Sequence, residues 1–103
     1  MSSNRSFPDQ PANYRFIGKW AADVPNCSGK AWRFTETSLV VTGGPRCTFE
    51  KIREVPGGYD IVARCVAGHR AKIDTLRLRF AESAKALLVE SASTGGIGLI
   101  QCR

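Results

Sequence analysis

The sequence predicts an all-β protein, a small antiparallel up-and-down β-barrel or sandwich of about seven to eight short strands held by two disulfides. Three observations carry that expectation. Turn residues recur every eight to twelve positions, the runs between them alternate apolar with polar side chains, and four cysteines lie far apart in a chain of only 103 residues. A chain of this length supports a single core, so it divides into an N-terminal arm, 1–13, expected to be flexible, and one domain, 14–103.

The arm is rich in Ser, Asn, Asp, Gln and Pro and has no apolar period. Tyr14, Phe16 and Trp20 mark a first strand, with Gly18 permitting a bend or a close backbone approach. Pro25, Asn26, Ser28 and Gly29 end it. Ala31 to Thr37 alternates Trp32 and Phe34 with Arg33 and Thr35, and Leu39 to Thr42 is a short apolar run before Gly43-Gly44-Pro45. Cys47 to Val55 and Tyr59 to Val66 flank Pro56-Gly57-Gly58, the clearest hairpin signal in the chain.

Ile73 to Phe80 places Asp74, Leu76, Leu78 and Phe80 on one face and Ile73, Thr75, Arg77 and Arg79 on the other. Asp74 is then expected at a rim or paired with an Arg, and both Arg77 and Arg79 in solvent. A helical turn fits Ala81 to Ala86, followed by strands at Leu87 to Val89 and Ile97 to Cys102 on either side of Gly95-Gly96.

Zinc sites bring two ligands within a few positions of each other, which no pair of these cysteines does. Structural disulfides therefore lead, over free thiols and over a metal site, and they point to an oxidising, periplasmic or secreted location. Cys47 and Cys65 lie almost symmetrically about the Pro56-Gly57-Gly58 turn and are expected to pair, leaving Cys27 with Cys102. Met1 to Pro11 lacks the apolar stretch of a secretory leader, so the chain is expected to be a mature form, and it contains no apolar run of membrane-spanning length.

A net charge of +6 implies attraction to anions. The partner expected is a protein or an anionic envelope component; nucleic acid ranks low because no helix-turn-helix, zinc-finger or base-stacking signature occurs. Arg53, Arg64, Lys72, Arg77 and Arg79 fall on successive strands and form a candidate binding stripe, against the plainer reading of a scattered solubilising surface. The glycine pairs read as turns, since none carries the phosphate-loop lysine and hydroxyl pattern. His69 is the one imidazole, set in a loop, and the acids are scattered, so no catalytic residues and no cofactor are expected.

Gly18-Lys19-Trp20 on a first strand, with Arg103 as a basic residue closing the last, resembles the lipocalin or calycin pattern, in which a Gly-x-Trp opens the barrel and a late Arg packs on the Trp. In size the chain is closer to the lipocalin-like metalloprotease inhibitors of proteobacteria, with lysozyme-inhibitor barrels a second comparison. The metalloprotease inhibitors have an arm before Gly-x-Trp that enters a protease cleft. That resemblance makes the arm, beginning at Ser2 and Ser3, a candidate contact segment; two disulfides in place of one are a departure. The leading expectation is an exported, non-catalytic binding module, an inhibitor of a secreted or envelope hydrolase. A small-ligand carrier and a small hydrolase are the rivals, and a barrel of this size is expected to be filled by its own side chains.

Overall fold

The computed structural model describes residues 14–81, 85–92 and 95–102. Eight strands follow one another around a closed antiparallel barrel: β1 (Gly18–Ala21), β2 (Trp32–Phe34), β3 (Ser38–Val41), β4 (Arg46–Val55), β5 (Gly58–Ala67), β6 (Arg70–Phe80), β7 (Ala86–Ser91) and β8 (Gly95–Gln101). β1 closes the ring on β8 through Trp20 opposite Gln101 and Ala21 opposite Ile100. The Cys102 N–H donates to the Lys19 carbonyl at 2.8 Å just beyond that pairing. The general shape is that of a lipocalin-like barrel.

Strand alternation decides what each residue faces. On β6, Asp74, Leu76 and Leu78 are buried while Ile73, Thr75 and Arg77 are exposed, as the period-two pattern requires. The strand begins at Arg70 rather than Ile73, because the Gly68-His69 turn lets Arg70 pair at once with Ala67. A β-bulge between Phe49 and Lys51 shifts the β4 register against β5, so that Ile52 meets Ile61 across the pair.

The first strand is shorter than the sequence implies. Tyr14 to Ile17 forms a turn, closed by the Ile17 N–H on the Tyr14 carbonyl at 3.3 Å, and the strand starts only at Gly18. Gly18 has a φ of +142°, a conformation that other residues rarely adopt, and it turns the chain from a plug into a strand. The plug is Phe16, fully buried, with Phe34, Phe49 and Tyr59 around it at ring separations of 5.1 to 5.9 Å. Trp20 is also fully buried and donates its indole N–H to the Phe16 carbonyl at 2.9 Å, so the one polar atom of the ring is satisfied by the turn beside it. A short 3-10 helix at Pro25–Ser28 follows β1.

The disulfides are Cys27–Cys102 and Cys47–Cys65, as the sequence predicts. Cys47 and Cys65 are directly opposite each other on β4 and β5. The arm 1–13, the central part of the expected helical turn at Ala81 to Ala86, and Arg103 lie outside the described residues.

Candidate functional site at the open end of the barrel

Aromatic rings fill one end of the barrel, and the other end is open. The expectation of an interior filled throughout is therefore corrected: a cavity of about 260 Å³ lies between the starts of β2, β4 and β6 and the ends of β3, β5 and β7. The cause is side-chain size. Where the plugged end carries Phe16, Phe34, Phe49 and Tyr59, the inward positions at the open end carry Cys47, Cys65 and Ala67. The Cys47–Cys65 bond draws those strands together without filling the space between them.

Trp32, Leu39 and Leu76 form the buried apolar lining, and Val41 and Pro45 continue it towards the mouth. Arg70 and Lys72, on the inward parity of β6 and exposed, bring two cations to the same mouth. Lys72 is opposite Cys65 in register, so its face does not agree with that of the other members of the candidate stripe. The difference follows from strand period alone: Lys72 shares a face with Asp74, not with Arg77.

Asp74 is the buried charged residue of the core, 7% exposed. It lines the open-end cavity on the same face of β6 as Arg70 and Lys72. Its Oδ1 accepts the Thr75 N–H at 2.8 Å and the Ala92 N–H at 3.4 Å, tying β6 to the residue after β7. Two backbone donors offset part of the desolvation of the carboxylate.

The other basic residues of the predicted stripe stand on the outside of the barrel. Arg53, Arg64 and Arg77 are exposed and project from the outer face of β4, β5 and β6. Arg79 departs from its expected exposure. It is half-buried, its Nη1 donates to the Tyr59 and Leu78 carbonyls at 3.1 and 3.0 Å, and its Nη2 lies 2.9 Å from Asp60 Oδ1. That Asp60 oxygen is buried and the contact is out of line for a hydrogen bond, so it is an ion pair. Arg53 reaches the other carboxylate oxygen at 3.4 Å. Burial works to raise the Asp60 pKa, but the Arg79 and Arg53 guanidiniums outweigh it and hold the carboxyl below its ordinary value.

His69 is exposed at the β5–β6 turn. Ser2, Ser3 and Arg103 lie outside the described residues, as does any contact of Arg103 with Trp20. The sequence reading missed Arg70 as a mouth residue and Asp60 as an ion-pair centre. Counting by twos from Asp74 would have found Arg70, whereas Asp60 depends on which cations reach it.

Compared with protein-family models, with curated proteins and with solved structures, the chain matches none.

Proposed function

We propose that the chain is an exported, non-catalytic binding module whose open barrel end takes up a small apolar molecule. The observation that supports this reading is the cavity of about 260 Å³ with its lining of Trp32, Leu39 and Leu76. An apolar cavity of about 150 Å³ already accommodates a benzene ring, so this one has room for a somewhat larger guest. The two disulfides are compatible with an oxidising, extracytoplasmic location, where such a module would act.

Trp32 makes the reading testable without labelling. Titration with toluene or 1-hexanol should change the Trp emission and saturate, and Ala67→Phe, which places a ring in the cavity, should abolish the change while leaving the far-UV dichroism intact. A parent protein whose emission is indifferent to both compounds does not use this cavity. The hydrolase-inhibitor form of the binding reading rests instead on the arm that begins at Ser2 and Ser3. Removal of residues 2–12 with loss of metalloprotease inhibition would support it.

A further inference from the structure

We infer that the outer face of the β5–β6 hairpin docks on an anionic lipid surface, an interaction separate from uptake into the cavity. From Arg70 to Leu76, β6 pairs with β5 and, among the described residues, meets β7 only from Arg77 onward. On that side Ala92 reaches Asp74, and the end of β7 and the start of β8 lie beside Ile73 and Thr75. Between Asp60 and Asp74 the chain has no acidic residue, while it carries Arg64, Arg70 and Lys72.

On the outer face the register sets Val66 opposite Ala71 and, in the neighbouring row, Arg64 opposite Ile73. Arg46 on β4 lies beside Val66. Ile73 is 53% exposed and Val66 42%, so two aliphatic side chains stand in solvent on one small face with a guanidinium beside each row. Val24 and Leu88, the other large exposed apolar residues among those described, are set differently: Val24 precedes the 3-10 helix, and Leu88 lies on β7 beside Arg79, whose guanidinium is engaged by Asp60.

Aliphatic side chains bordered by cations suit the boundary between headgroups and acyl chains, where the apolar groups leave water and the guanidiniums meet phosphates. The cations also reach both sides of the hairpin, Arg46 and Arg64 outside and Arg70 and Lys72 at the cavity mouth. Cations on both sides of the hairpin end, with the Asp74 carboxylate buried in the cavity lining behind them, match a fluid surface whose headgroups rearrange around them. An acidic protein partner with fixed charges would instead be met by one flat face, and among the described residues the outer face of this hairpin has no aromatic anchor of the kind that dominates protein interfaces.

Co-sedimentation with vesicles tests the assignment. The protein should bind vesicles of phosphatidylcholine mixed with phosphatidylglycerol at low salt and not those of phosphatidylcholine alone. Arg46→Ser with Arg64→Ser should weaken binding by roughly tenfold or more, and Ile73→Ser by about fivefold. Lys30→Ser with Arg33→Ser removes the same charge from exposed positions on another part of the barrel and should cost much less. Melting curves confirm that each variant is folded. Absence of binding to the mixed vesicles overturns the inference. So does equal weakening by the two double variants, which would mean that net charge alone attracts the protein. Full binding by Ile73→Ser would overturn it as well, leaving a polyanion or an acidic protein as the better occupant.

Discussion

Arg77 and Arg79 show how two residues that look equivalent in sequence acquire different roles. Both alternate with Leu76 and Leu78, and that spacing correctly turns both side chains away from the core. Spacing does not say what lies beneath them. Arg79 crosses to Asp60 and two backbone carbonyls, whereas Arg77 stays in solvent. Arg77→Ser should therefore leave stability within about 0.5 kcal/mol of the parent, and Arg79→Ser should cost about 1 to 2 kcal/mol, discounted because the side chain is still 36% exposed. The pH dependence has a definite sign. The Asp60 pKa is lower in the folded chain than its ordinary value of 3.8, so the contribution of the pair is fully present above that value and is lost as pH falls through the folded pKa. The gap between the urea midpoints of the parent and Arg79→Ser should narrow from neutral pH into acid without closing, since the two carbonyl bonds do not titrate; a gap unchanged in strong acid would show that the ion pair contributes nothing.

At the scale of the elements, the β4–β5 hairpin was the most legible part of the chain because three local signals agree there. Pro56-Gly57-Gly58 sets the turn, the flanking runs match in length, and Cys47 and Cys65 fall almost symmetrically about it, the bulge between Phe49 and Lys51 bringing them into register. The turn also contains a constraint that its sequence does not display. A Cβ placed on Gly58 would run into the Leu78 carbonyl of the neighbouring strand β6, so this glycine is required by a tertiary approach, while the turn itself uses the positive φ of Gly57. Gly58→Ala should destabilise the barrel by about 2 kcal/mol or more, with an equally sharp unfolding transition at a lower denaturant concentration. A midpoint equal to that of the parent would mean that β6 can move aside. β6 begins three residues before the start that its sequence pattern suggests, and this has a functional consequence: the alternation that runs from Arg70 sends both Arg70 and Lys72 to the mouth.

For the whole molecule, the meander of antiparallel neighbours was legible from its short turns, whereas the choice of closed barrel over sandwich and the presence of the cavity were not. The cavity depends on how the barrel distributes large and small inward side chains between its ends, and Phe16 acts as a plug only because the chain before Gly18 turns instead of pairing. The two disulfides divide along the same line. Cys27–Cys102 joins the 3-10 helix after β1 to the residue after β8, with a sequence separation of 75, and takes no part in the cavity wall, while Cys47–Cys65 spans 18 residues and lines it. Replacing either pair by Ala should lower stability, by about 2 to 4 kcal/mol, and the longer loop should cost about 1 kcal/mol more if the unfolded chain dominates the effect. The variants should differ in binding as well. Cys27→Ala with Cys102→Ala should melt earlier yet still show the Trp32 response to toluene below its transition, since the lining is untouched. Cys47→Ala with Cys65→Ala widens the wall and should alter the affinity for toluene. If both variants lose the response while still folded, the cavity depends on the closure of the barrel as a whole, and its lining residues do not by themselves define the site.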